Sequence, residues 1–286
     1  MSCMPTERTS RRAPMVLETA EEGSMAELVS TSEYFDVNME LIRRREVEIS
    51  IITKRDYLSI VHKNYISQHH RSEAVSFVID IARTLGLQCP AIERAIRLFD
   101  IALASTACRR DSLQLMASAC VSIAAKLDSD LSPAKTLVKL QDNAFTTDKL
   151  RLAEQVVLDH VHWEAAVPTA HRSMALVLGR AAVGLGLSLG QTYEIYTTAS
   201  TLIMSALGQY AMSRIEPTTL AVAVVNCAAK LFDVEAASVL VSLRDRGVDL
   251  ATADKCAAAL FPALTRSARP TPQTTPKDAR ATMLMH

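Results

Sequence analysis

The sequence predicts an all-α fold: two tandem five-helix domains preceded by one further helix. Three observations predict it. Residues 113–127, LQLMASACVSIAAKL, make a run of about four helical turns with no glycine or proline. Met116, Ala117, Ala119, Cys120, Ile123 and Ala124 spread apolar or small surface around its whole circumference, and a helix apolar all round belongs inside a protein. The same object then recurs. AAKL at 124–127 returns at 228–231 within AVAVVNCAAKL, TLVKL at 136–140 faces VLVSL at 239–243, and DKLRLAEQVVL at 148–158 faces DKCAAALFPAL at 254–264. The offset of about a hundred residues is the length of a domain and too long for a solenoid repeat. Finally, each copy is flanked by helical stretches bounded by glycine and proline.

In chain order, residues 1–30 are polar and patternless and read as a disordered tail. A segment at 31–68 follows, with a charged helix over 37–49 and a less regular stretch from 51. The first domain, 69–166, begins with a helix at 71–85 whose Val75, Val78, Ile79 and Ala82 share one face, and Gly86 stops it. Pro90 starts the next, AIERAIRLFDIALAS, with Ile92, Ala95, Ile96, Phe99 and Leu103 at helical spacing. The buried helix is third and ends at Asp128, Ser129 and Asp130. A short helix from Pro133 to about Leu140 is fourth. The fifth is capped by Thr146 or Thr147 and ends near Trp163. The second domain, 167–266, opens on the linker Val167-Pro168-Thr169, with helices at 169–183, 189–208, 217–231, 234–245 and 250–266. Residues 267–286 are rich in Pro, Thr and Arg and read as a disordered tail.

Composition narrows the function. The 286 residues carry 31 Lys+Arg and 31 Asp+Glu. That balance argues against nucleic acid, whose binding needs cationic side chains on phosphates. No run of about twenty apolar residues suggests a membrane span. The six cysteines are scattered without metal spacing and read as small core residues. No phosphate-cradling glycine loop, GxSxG or HExxH is present. His160 and His162 fall on different faces of a helix, so a shared metal is not expected, and His69-His70 reads as a solvated pair. The expectation is a chain with no catalytic residues, no cofactor and no metal.

Two charges stand out. Lys126 ends the buried helix, and Glu154 interrupts the apolar run of the fifth. The second copy keeps the lysine, as Lys230, but has Leu260 where Glu154 stands, so the copies are not equivalent. The spacing alone leaves open an intramolecular ion pair or two snorkelling surface groups.

From residue 34 to about 265 the chain resembles the cyclins, as a divergent member with two cyclin boxes. YFDVNMELIRRRE (34–46) is similar to the family's N-terminal helix. HRSEAVSFVIDIA (70–82) resembles the first box helix, with the family pattern Met-Arg-Ala-Ile-Leu-Val-Asp-Trp-Leu. AIRLFDIALA (95–104), LQLMASACVSIAAKLDSD (113–130) and LRLAEQVVLDHVHWEAAVPT (150–169) resemble the second, third and fifth. The resemblance implies a non-enzymatic subunit that binds and activates a cyclin-dependent serine/threonine kinase in cell-cycle control, as a heterodimer with it. Substrates or inhibitors of that kinase are further partners of the family, and the nucleus, the cytoplasm or both are its expected location. It implies kinase contacts at Lys126 and Glu154, with Leu127, Leu158, Tyr34, Leu41 and Ile42 beside them. The family's substrate-docking patch falls on His70, Glu73, Ala74, Phe77 and Gln114. Of that patch only the glutamine is kept, so it is degenerate here. A two-repeat transcription factor of related fold is the alternative, and zero net charge weighs against it.

Overall fold

The computed structural model describes residues 35–63, 65–129, 132–236 and 240–267. Among these are twelve α-helices, two 3-10 turns and no strand. The first helix, α1 (Phe35–Thr53), is followed by the short α2 (Tyr57–Ile60). Five helices then form a first bundle: α3 (Gln68–Thr84), α4 (Cys89–Ser105), α5 (Leu113–Ser129), α6 (Ala134–Leu140) and α7 (Thr147–His160). The second bundle contains α8 (Ala170–Leu185), α9 (Leu189–Gly208), the short α10 (Tyr210–Ser213), α11 (Pro217–Leu231) and α12 (Leu250–Ser267). The tails at 1–30 and 268–286, and Asp130, lie outside the described residues.

The repeated helices, α5 and α11, are the two hubs. Helix α5 packs on α3, α4 and α7, and α11 on α8, α9 and α12. Every residue from Met116 to Ala125 is buried, Ser118 and Ser122 included. Thr218 to Ala229 are buried likewise. With so many alanines, each hub gains from close approach of its neighbours more than from side-chain volume, so Ala124→Leu should overpack by about 1–3 kcal/mol.

Local chemistry sets the ends. Ser67 caps α3, and His70 completes the cap by accepting the Ser67 N–H at 3.0 Å through Nδ1. His70 is therefore half of a capping box and not part of a solvated pair. Gly86 (φ +76°) and Gly186 (φ +62°) take the left-handed turns after α3 and α8. Thr146 caps α7 by accepting the Lys149 N–H at 3.3 Å. Within the helix expected over 234–245, Val241–Arg246 is a 3-10 turn closed by Gly247.

Helix α1 bridges the bundles, touching α4 and α8. Its inward stripe is Phe35, Met39, Ile42 and Glu46, the i, i+4, i+7, i+11 progression of one helix face. Glu46 Oε1 accepts the Thr218 N–H at 2.6 Å and the Thr218 hydroxyl at 2.7 Å. Arg43 joins Glu46 at 2.6 Å to Glu216 at 2.7 Å.

Two buried polar clusters fasten bundle to bundle. Arg71, fully buried, forms a two-pronged pair with Asp100 at 2.7 Å on both prongs and donates to the Leu207 carbonyl at the end of α9. Glu93 accepts the N–H groups of Ala170 and His171 at the start of α8, at 2.6 and 2.9 Å. The His171 ring closes on Glu93 at 2.6 Å through Nδ1 and meets Ser200 Oγ at 2.9 Å through Nε2. Burial alone would raise the Glu93 pKa, but the His171 hydrogen bonds and charge, with Arg97 beside them, hold it at about 2.

Candidate partner-binding face

The face is built where α5 leaves the core. Burial is unbroken through Ala125, after which Lys126 keeps 42% of its side chain in solvent and Leu127 is 49% exposed. Helix α7 supplies the opposite wall. Leu150, Glu154 and Val157 share its inward stripe, so helical geometry alone drives Glu154 inward. Only 7% of Glu154 is exposed. Lys126 Nζ donates to Glu154 Oε2 at 2.6 Å across the two helices. The other oxygen, Oε1, is buried with no hydrogen-bond partner among the described residues.

Around this pair lies a groove lined by Ile123, Leu127, Leu158, Trp163 and Ala165, with Arg45 and Glu164 at the rim. Arg45 and Glu164 are paired at 2.9 Å. Helix α7 stops at His160, short of the expected end, because His162 (φ +51°) and Trp163 (φ +62°) turn left-handed. That turn carries Trp163 to the groove, 64% exposed, with Nε1 donating to Asp159 at 3.0 Å. The groove thus combines apolar walls, a large exposed ring and one buried, half-paired carboxylate.

The expected site residues divide. Lys126, Glu154, Leu127 and Leu158 come together on this groove. Tyr34 lies outside the described residues. Leu41 is 59% exposed, but Ile42 is 5% exposed and belongs to the core stripe of α1, so it is not offered to a partner. Trp163 and Arg45 also line the groove and are not among the expected contacts. The expected helix runs on to Trp163, and nothing in its local sequence marks the turn.

The degenerate patch lies elsewhere, on α3. Ala74 is buried and Phe77 half-buried. Glu73 is exposed and meets His69 at 3.4 Å. Gln114 hydrogen-bonds Gln141, in the turn after α6, and His70 is occupied in the α3 cap.

Residues 39–166 match the family described as Cyclin, N-terminal domain. Over this stretch the chain is similar to the cyclin family. It is 26% identical over 174 residues to Cyclin-A1-2 of Arabidopsis thaliana, covering 58% of this chain and 39% of that one. It is 23% identical over 158 residues to G2/mitotic-specific cyclin-B3 of Gallus gallus, covering 55% and 38%. The chain therefore spans about two fifths of the length of those curated relatives. Its fold is similar to that of a viral cyclin from herpesvirus saimiri, with a TM-score of 0.63 at 14% identity over 79% of this chain and 97% of that one. The fold likeness thus reaches well beyond the residues matched by the family pattern.

Proposed function

We propose that this chain is a cyclin, the regulatory subunit of a cyclin-dependent serine/threonine kinase, and that the α5–α7 groove holds the kinase. The observation that carries the reading is Glu154. A carboxylate buried with one oxygen unpaired is costly unless a donor arrives, and a docked backbone or side-chain N–H from the partner is such a donor. The apolar walls and Trp163 suit an amphipathic helix laid across the groove. The rigid groove binds one orientation of that helix and so shifts the kinase toward its active state. Phosphoryl transfer and nucleotide belong to the partner. No nucleic acid or membrane takes part.

The test is capture and activation. The purified chain is mixed with cyclin-dependent kinases one at a time. The reading expects a one-to-one complex with at least one of them and a rise in its activity. It also expects the chain alone to show no saturable ATP binding. Saturable ATP binding by the free chain, or capture of DNA in place of a kinase, would favour another class of protein.

A further inference from the structure

On the other flank of α7 from the groove lies a second hollow. It is an open trough of about 330 Å³, walled by Leu115 and Met116 of α5 and by Leu152, Ala153 and Val156 of α7. Sites for small ligands start at roughly that volume, about 300 Å³. Helical spacing keeps the two hollows apart: Leu152, Ala153 and Val156 share one flank of α7, Glu154 and Leu158 the other. Leu152 is 62% and Val156 46% exposed. A surface helix ordinarily turns polar side chains to solvent. Two bare aliphatic side chains over an apolar floor therefore make a contiguous patch of the kind that takes a partner.

Charge decides what covers it. Lys149 is the one charged residue lining the trough among the described residues. The carboxylates beside it are taken, Asp148 by Arg151 at 3.3 Å and Asp111 by Arg109 at 2.8 Å. Arg110, two residues before Ser112 on the rim, gives its Nε to the Tyr65 carbonyl at 2.8 Å and meets no carboxylate among the described residues. The trough thus asks for an apolar segment with acidic residues beside it. Residues 13–34 carry Glu18, Glu21, Glu22, Glu27 and Glu33 with no lysine or arginine, and Met15-Val16-Leu17 runs straight into Glu18. The segment at 268–286 has the wrong sign, with Arg269, Lys277 and Arg280 against Asp278. Reach is not limiting. Leu17 stands eighteen residues before Phe35, where α1 begins, which is up to about 60 Å of extended chain. A chain of this length folds to a radius of gyration of only about 19 Å.

We propose that the trough is a docking site for this chain's own segment 15–22. Met15, Val16 and Leu17 lie on the apolar floor, and Glu18, Glu21 and Glu22 face Lys149 and Arg110. The contact covers the flank of α7 that the partner groove leaves bare.

The test uses the full chain, without any kinase, carrying isotope-labelled Met, Leu and Val methyl groups. Its outcome is therefore independent of the function proposed above. Nuclear Overhauser contacts join the Val16 and Leu17 methyls to those of Leu152 and Val156, and they persist unchanged on tenfold dilution, as an intrachain contact must. Leu17→Ser abolishes them and moves the Met116 methyl signal. Lys149→Glu weakens them at least threefold, because it sets a carboxylate against the glutamates. Lys149 is exposed, so its replacement leaves the core alone. The proposal is overturned if no such contacts appear, if Leu17→Ser leaves the Met116 signal in place, or if Lys149→Glu leaves the contacts at full strength. Contacts that fade on dilution overturn it as well, since the occupant would then be a second copy of the chain.

Discussion

Removing Lys126 should injure the free protein more than removing its partner Glu154. The asymmetry follows from exposure. Glu154 is 7% exposed, and its only hydrogen bond among the described residues is the 2.6 Å contact from Lys126. The Lys126 side chain is 42% exposed. In Lys126→Ala the carboxylate is left inside with neither oxygen paired. A fully buried pair broken in this way loses about 3–5 kcal/mol. Water reaching the lysine's place reduces that to about 1–3 kcal/mol. At roughly 2–4 °C per kcal/mol for a chain of this size, Tm falls by about 2–12 °C. In Glu154→Ala the ammonium simply turns to solvent, and the lost pair is worth about 0–1 kcal/mol. The double variant should be more stable than Lys126→Ala alone, because it strands nothing. Urea or thermal denaturation of the three variants, without any partner, measures this. If Glu154→Ala is the more damaging single change, or if the double variant shows the sum of the two losses, the carboxylate is not held as described.

Three further outcomes follow from the same structure. Trp163→Ala should leave Tm within about 1 °C of the parent, because the ring is already largely in solvent, yet weaken kinase binding by about 2 kcal/mol, roughly thirtyfold by calorimetry. Glu93 is held at about 2, below the ordinary 4.5, so its contribution is full above about pH 4.5 and is lost as pH falls through 2; Glu93→Gln should cost about 3–5 kcal/mol at neutral pH and flatten the loss of stability measured between pH 4.5 and 2. Arg-x-Leu peptides should bind weakly or not at all by calorimetry, since their leucine would have to cover the exposed Glu73 carboxylate over the small Ala74 floor, and Glu73→Ile with Ala74→Leu should raise affinity.

What could be read from the sequence was what breaks a pattern locally. Lys126 and Glu154 were visible because each interrupts an apolar helix, and the two hubs because their apolar surface runs all round. The pairing of those two charges needed only that α5 and α7 be neighbours. Other features needed long-range placement. Glu93 and Arg97 lie four apart on α4, and nothing in their local sequence shows that they meet the start of α8, nearly eighty residues on, and the turn before α11. The resemblance places both Leu41 and Ile42 on a partner surface, but neighbours on a helix point about 100° apart, and α1 packs its Ile42 side on the core. Trp163 depended on two left-handed residues in succession, a conformation that neither His162 nor Trp163 announces.

The most direct measurement is activation of a cyclin-dependent kinase by the full chain, titrated side by side with Glu154→Ala and with Lys230→Ala, the matching lysine of the second repeat. The account predicts that the unaltered chain and Lys230→Ala activate the same kinase at the same half-saturating concentration. It predicts that Glu154→Ala, still folded, needs roughly a hundredfold more or more, since the groove then offers no acceptor to the kinase and its Lys126 is left unpaired in the interface. Equal activation by all three, or a loss confined to Lys230→Ala, would contradict the assignment of the kinase to the α5–α7 groove.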